Sequence, residues 1–121
     1  MIVNTTPHPL KIFAEDKKTV LKVFPVSKDF QIRLKIKPQQ KLNSIMADGK
    51  VEIPVFTSQE FTDLDITGDL QSQNFYIVSQ MVLDWAKIYR PVLGQRFYAP
   101  DTNVGAVREE GAIVGTTRLL K

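Results

Sequence analysis

The segment FYIVSQMVLDWAKIYR, residues 75 to 90, changes from the pattern of a strand to the pattern of a helix. Residues 75 to 78 form a short apolar run that is typical of a buried strand. After Ser79 the apolar residues recur at the three- and four-residue spacing of a helix packed on a sheet: Met81, Val82, Trp85, Ala86, Ile88 and Tyr89. Pro91 cannot continue such a helix. The sequence therefore predicts a strand followed by one principal α-helix at about 79–90.

Most other segments favour short strands joined by turns. Residues 10–14 and 19–24 flank a polar turn and predict one hairpin, and a second hairpin is predicted around Glu109-Glu110-Gly111. Further strands are predicted at 2–4, 30–37, 51–56 and 96–99. We expect an α+β fold in a single domain over residues 1–121. It would consist of a curled antiparallel β-sheet built from hairpins, the principal helix, and at most a short second helix.

Two segments are expected to be loops. Residues 38–50 contain the turn signal Asp48-Gly49 and have space for a short helical turn. Residues 58–74 are polar and acidic, and we expect them to be ordered only in part. Within them the series Asp63, Asp65, Thr67 mimics the start of a calcium loop, but Asn74 stands where a bidentate Glu is required. A solvated loop is therefore favoured over a metal site.

The residue inventory excludes several classes of chemistry. The chain has no cysteine and one histidine, His8, which removes thiolate zinc sites, cysteine nucleophiles and two-histidine metal sites within one subunit. No phosphate-binding or dinucleotide fingerprint is present. We therefore expect a protein that is not an enzyme and that needs no cofactor. No apolar run reaches the roughly 18 residues of a membrane span, so we expect a cytoplasmic location and no membrane partner.

Charge is distributed unevenly along the chain. Residues 1 to 50 contain ten Lys and Arg against four Asp and Glu, whereas residues 51 to 121 contain six against nine. Lysine dominates the first half and arginine the second, and arginine's planar fork suits paired hydrogen bonds to phosphate. The basic face of strand 30–37 lacks interleaved aromatic residues, which a base-stacking surface would need. A solvated sheet face is favoured there, and no nucleic-acid partner is expected.

Two places have both a structural and a binding interpretation. Ser79 suits an N-cap, but the following turn contains no acid, so its free N–H groups could instead meet a phosphate. A phosphate would also require arginines nearby, for which Arg90, Arg108 and Arg118 are candidates. In residues 100–111, the short polar side chains of Asp101, Thr102 and Asn103 lie on a predicted turn and could recognise a ribose or a base edge, and Arg108 lies at the tip of the predicted hairpin. The same residue types also form turns for backbone reasons alone. The sequence leaves both alternatives open.

The segments IVNTTPHPLKIF, YIVS and APDTNVGAVREEGAIVGTTRLL, with a Pro-Val step between the first two, follow one another along most of the chain. In this order they resemble the Thoeris anti-defence proteins of the first type, a family of small phage and bacterial proteins. The resemblance implies a sponge, which is a protein that binds a cyclic ADP-ribose isomer made by a host TIR-domain enzyme and holds it without cleaving it. It also implies a homo-oligomer, a dimer or hexamer with pockets between subunits, and uptake of cyclic oligonucleotides by some members.

The resemblance supplies candidate ligand-binding residues, which are Asn74, Phe75, Ser79, Arg90, Asn103 and Arg108. One departure is that this chain has Phe56 and Thr57 just past the Pro-Val step, where relatives often have an arginine. If that arginine binds a phosphate, either Arg33 or Arg90 replaces it here or the range of ligands differs. The competing expectation is a phage structural or assembly protein that acts only through subunit contacts.

Overall fold

The computed structural model describes all residues from Met1 to Lys121 and confirms the α+β class. Twelve strands are present: β1 Ile2–Asn4, β2 Leu10–Phe13, β3 Val20–Phe24, β4 Gln31–Lys37, β5 Ile45–Ala47, β6 Val51–Ile53, β7 Glu60–Thr67, β8 Phe75–Ile77, β9 Phe97–Pro100, β10 Ala106–Glu109, β11 Ala112–Thr116 and β12 Leu119–Leu120. The helices are α1 Gln80–Tyr89 and α2 Pro91–Gly94. None of the helices is long and apolar enough to cross a membrane.

The chain divides into two compact units. The main unit combines Met1–Arg33 with Asp65–Lys121, and the hairpin unit is Leu34–Leu64. Strands β4 and β7, which pair with each other, run from one unit into the other. The single domain over 1–121 stays a prediction, because a compact unit does not have to be a domain that folds independently.

The main unit contains two four-stranded sheets, and both are mixed. One has the order β1-β8-β9-β12, in which β8 is parallel to both β1 and β9. The other has the order β10-β11-β2-β3, in which two antiparallel hairpins are joined by the parallel pair β11 and β2. The hairpins are those that the sequence predicts. The parallel pairs between distant segments are additional to the expected antiparallel sheet.

Helix α1 follows from the local sequence. Ser79 caps it, and Val82, Leu83 and Ala86 are the residues that it buries. The expected apolar face is therefore correct only in part, because Met81, Ile88 and Tyr89 are exposed. It packs against β9, so that β8, α1 and β9 form a strand-helix-strand unit with a parallel pair. Pro91 then occupies the first position of α2, where its missing N–H costs nothing. The predicted helix at 79–90 is confirmed, and the short second helix lies at Pro91–Gly94.

Two loop predictions are wrong. Residues 60 to 67 of the acidic segment form the eight-residue strand β7, because Leu64 and Ile66 alternate with polar residues and point away from solvent. A strand also excludes the calcium-loop geometry. The segment 38–50 contains strand β5 rather than a helical turn, because Ile45–Ala47 pairs with β6 across the turn at Asp48-Gly49.

Gly115 permits the closest backbone approach in the second sheet. It lies opposite Lys11 in the parallel pair of β11 and β2. A Cβ at this position would lie 2.6 Å from Cε2 of Phe13 and would press still closer on the carbonyl oxygen of Lys11. Only a residue without a side chain allows the two hairpins to join here.

Candidate functional site

A cavity of about 410 Å³ lies in the main unit beside the start of α1. Its walls come from residues 6 to 10, Ser79 and Gln80, Pro100 and Thr102, and residues 113 to 115. We call it the α1 pocket. Its lining is mostly apolar but includes hydroxyl and amide side chains, and His8 is its only residue with an ionisable side chain. A volume of this size lies within the range of small-molecule sites, which is about 300–1,000 Å³.

Asn4 holds one wall of the α1 pocket in place. Its buried side-chain amide donates to the carbonyl oxygen of His8 at 2.8 Å and to that of Phe24 at 3.1 Å. The side-chain oxygen of Asn4 accepts from the backbone N–H of Thr6 at 3.0 Å. Because Pro7 and Pro9 fix their own backbone φ angles, the segment from Thr6 to Pro9 is both stiff and tied at its ends. The wall is therefore preformed.

The start of α1 forms a second wall. The Oγ atom of Ser79 accepts from the N–H of Val82 at 3.3 Å, which is the N-cap that the sequence predicts. The first turn contains no acidic residue, and the first N–H groups of any helix have no intrahelical partner. Ser79 therefore caps the helix and also lines the pocket. Its role as a cap does not exclude a role of the helix start in binding an anion.

Pro100 and Thr102 form a third wall, and a dense set of hydrogen bonds holds the loop from Asp101 to Gly105. The Asp101 carboxylate accepts from the N–H of Asn103 at 2.9 Å, from the N–H of Gly105 at 3.2 Å and from Nε of Arg118 at 2.6 Å. The hydrogen bonds from Asn103 and from Arg118 hold the pKa of the Asp101 carboxyl below its ordinary value, against the opposing effect of burial. The hydrogen bonds of Asp101 therefore hold in place the loop that contains Thr102, which lines the pocket.

The predicted ligand residues near β8 do not face the α1 pocket in the single chain. Asn74 is buried, and its side-chain amide lies 3.4 Å from the hydroxyl of Tyr76, to which it donates. The Phe75 ring packs edge-on against Tyr98, with ring centroids 5.6 Å apart. Phe75 lines a separate apolar cavity of about 170 Å³ together with Ile2, Tyr98 and Leu119. Ser79 is thus the only one of the six predicted ligand-binding residues that lines the α1 pocket.

The arginines also lie elsewhere. Arg90 caps the C-terminal end of α1, which is about 15 Å from Ser79 by the rise of a ten-residue helix. Arg108 lies beside the tip of the β10–β11 hairpin, and its guanidinium donates to the carbonyl oxygen of Gly111 at 3.0 Å. Arg33 donates to the carbonyl oxygens of Thr5 and Ile32. Within one chain, no arginine lines the pocket.

Asn103 follows Thr102 in the sequence but is not one of the residues that line the pocket. Its backbone N–H donates to Asp101 and its carbonyl oxygen accepts from Ala106 at 3.2 Å, which is the turn chemistry that competed with a binding role. Of the three polar residues of this turn that the binding interpretation names, Asp101, Thr102 and Asn103, only Thr102 lines the pocket. His8 was expected to be structural or exposed, and it is an exposed residue that lines the pocket.

Comparison of the chain with protein-family models, with curated proteins and with solved structures gave no match.

Proposed function

We propose that the protein is a sponge that binds a TIR-generated cyclic ADP-ribose isomer and holds it unaltered. The resemblance to the Thoeris anti-defence proteins of the first type is the source of this ligand class. In this proposal the protein acts in the cytoplasm of the host cell, and the class of ligand extends to cyclic oligonucleotides. The protein removes the signal by stoichiometric binding rather than by catalysis.

The observation that carries the proposal is the composition of the α1 pocket. Pro7, Pro9, Leu10 and Ile113 offer apolar surface for a purine base, and the hydroxyl group of Thr102 suits a ribose. No carboxylate lines the pocket, so a phosphate meets no like charge there. The start of α1 adds backbone N–H groups that favour an anion.

The two phosphates of the ligand need positive charge from outside this lining, because no Lys or Arg lines the pocket of one chain. The resemblance implies that ligand pockets lie between subunits of a dimer or hexamer. In that arrangement a second copy supplies the arginine, and Arg108 is a candidate because it is exposed beside a hairpin tip. Replacement of Arg108 by Ala would then weaken uptake without changing the apolar pocket.

Calorimetry with cyclic ADP-ribose isomers tests the proposal directly. Ile113→Glu places a carboxylate in the wall of the pocket, and we expect at least a 100-fold loss of affinity from like-charge repulsion and lost apolar contact. Val20→Glu is the matched control, because Val20 is a β-branched residue of the same sheet with nearly the same exposure, 45% against 44%. Equal affinity of the two variants, or no heat with any isomer, would contradict the proposal.

Recovery of the ligand separates sequestration from turnover. The complex is heated until the protein unfolds, and the released nucleotide is identified by mass. We expect the intact cyclic compound in one-to-one proportion to binding sites. A hydrolysed product would indicate an enzyme instead.

A second candidate function, a structural or assembly protein, is favoured by the outer side of α1. Met81, Trp85, Ile88 and Tyr89 recur at helical spacing on that side, and Trp85 and Tyr89 stack with ring centroids 4.8 Å apart. Ile88 and Tyr89 are 71% and 62% exposed. Aromatic residues and Met are enriched where proteins meet. This alternative predicts a stable assembly with no affinity for any cyclic nucleotide.

A further inference from the structure

A further cavity of the main unit, of about 250 Å³, lies beside α2. Its walls come from residues 70 to 72, Tyr76, Val92 and Leu93, and Arg96. We call it the Arg96 cavity. It contains no acidic residue, and Arg96 is its only basic one. It shares no residue with the α1 pocket, so the two cavities are separate candidate sites.

The backbone of Arg96 is fixed by two hydrogen bonds. Its N–H donates to the carbonyl oxygen of Leu93 at 3.1 Å, and its carbonyl oxygen accepts from the N–H of Tyr76 at 2.8 Å. The next residue, Phe97, is fully buried and pairs with Tyr76 where β9 lies beside β8. The Arg96 side chain therefore starts from a fixed point of the β1-β8-β9-β12 sheet.

The turn before β8 is fixed as well. Tyr76 is fully buried, and its hydroxyl accepts from the N–H of Gln71 at 2.6 Å and donates to the carbonyl oxygen of Gln71 at 3.4 Å. The same carbonyl oxygen accepts from the N–H of Asn74 at 3.1 Å. A cavity whose walls are ordered before a ligand arrives costs less free energy to occupy than one that must form around the ligand.

The guanidinium of Arg96 has no partner in the protein. Each of the other four arginines interacts with another group of the chain: Arg33, Arg90, Arg108 and Arg118. Arg96 is half-buried and is the only arginine without such a contact. The planar fork of a guanidinium matches the two oxygens of a carboxylate through charge-assisted hydrogen bonds. The cavity therefore contains an unused binding group for an anion.

The rest of the lining determines which anion fits. A single guanidinium, with no second cation in the lining, suits the one charge of a carboxylate better than the nearly two charges of a phosphate monoester. Leu70, Val92 and Leu93 add apolar surface, and Val92 is 80% exposed. An apolar tail that covers Val92 removes this surface from water. The volume lies below the range of about 300–1,000 Å³ for drug-sized ligands, so the tail is small.

We propose that the Arg96 cavity binds a small carboxylate with a branched or aromatic tail. The carboxylate pairs with the guanidinium of Arg96, and the tail packs on Leu70, Val92 and Leu93. The proposal involves no nucleotide and no residue of the α1 pocket, so it does not depend on the sponge proposal.

Titration of the full chain, followed by two-dimensional ¹H–¹⁵N NMR, tests the proposal with phenylacetate, its uncharged analogue phenylacetamide, and acetate. We expect saturable shifts at the amides of residues 70–72 and 92–96 with phenylacetate, and a dissociation constant on the order of 1 mM for so few atoms in an open cavity. Phenylacetamide and acetate should each bind at least about 10-fold more weakly, because the first lacks the charge and the second lacks the tail. No saturable shift with phenylacetate, or equal affinity for either analogue, would overturn the proposal.

Two pairs of variants locate the site. Arg96→Gln removes the guanidinium, and its control Lys18→Gln removes a charge from the exposed turn between β2 and β3. Val92→Asp places a carboxylate in the wall at an exposed position that the fold does not depend on, and its control Val104→Asp does so outside the cavity at similar exposure, 72% against 80%. We expect both cavity variants to raise the dissociation constant of phenylacetate at least about 10-fold, and both controls to bind as wild type does. Wild-type affinity in either folded cavity variant would exclude the Arg96 cavity as the site.

Discussion

Gly115→Ala tests whether the parallel pair of β2 and β11 holds the second sheet together. The added Cβ would lie 2.6 Å from Cε2 of Phe13, about 0.8 Å inside an ordinary contact of about 3.4 Å, and would also press on the Lys11 carbonyl. That carbonyl belongs to the backbone of a paired strand, so the strands must separate to relieve the overlap. Overpacking of this kind costs about 1–3 kcal/mol, and we place this site at the upper end.

The alanine also restricts the unfolded chain, which offsets about 0.5 kcal/mol of the loss. A net loss of about 2.5 kcal/mol lowers the melting temperature of a chain of this length by about 10 °C. Gly94→Ala is the matched control, because its Cβ would make ordinary contacts with Ala86 at 3.4–3.5 Å within a helix. Thermal unfolding followed by circular dichroism should show Gly94→Ala at or above wild type. If Gly115→Ala melted within 2 °C of wild type, the close approach of these strands would be refuted.

Two further predictions concern buried polar groups. Asp101→Asn removes a carboxylate whose pKa is lowered in the folded protein, so the stability that this carboxylate contributes is present above about pH 4 and is lost as the pH falls below its ordinary value of 3.8. The difference in melting temperature between wild type and variant should therefore be largest near pH 7 and narrow as the pH falls below 3.8, and a difference that does not change with pH would contradict the ion pair with Arg118. Tyr76→Phe removes the hydroxyl that accepts from the N–H of Gln71 at 2.6 Å, and should cost about 1–3 kcal/mol in denaturant unfolding. The exposed Tyr89→Phe should cost nothing measurable, and an equal loss in both would show that the Tyr76 hydroxyl is not a structural partner.

Local patterns were sufficient to predict the elements that depend on neighbouring residues. Helix α1 could be predicted because its cap, its apolar spacing and the proline after it all lie within a dozen residues. The two hairpins could be predicted for the same reason. The parallel pairs of β1 with β8 and of β11 with β2 join segments that are about 70 and 100 residues apart in the sequence, and no local period encodes such a partner.

The candidate site could be predicted only in part, for a related reason. Ser79 was identifiable because capping is a local property of the helix start. The opposite walls of the α1 pocket belong to a loop held by Asn4 and to strand β11, and nothing near Ser79 in the sequence indicates either of them. Strand β7 was not predicted, because Asp63 and Asp65 indicated a solvent-exposed loop. Leu64, which lies between them in the sequence, is nevertheless buried in the strand.

The hairpin unit is a segment inserted in the main unit. It begins in β4 and ends in β7, and these two strands are hydrogen-bonded to each other. The pairing of β4 and β7 already brings the two ends of this segment together, so a change in its length adds only a small entropic cost, about 0.6 kcal/mol per doubling. The residues of the α1 pocket lie entirely outside it. Insertions and deletions in the hairpin unit can therefore accumulate during evolution while the residues that line the α1 pocket within each chain stay the same.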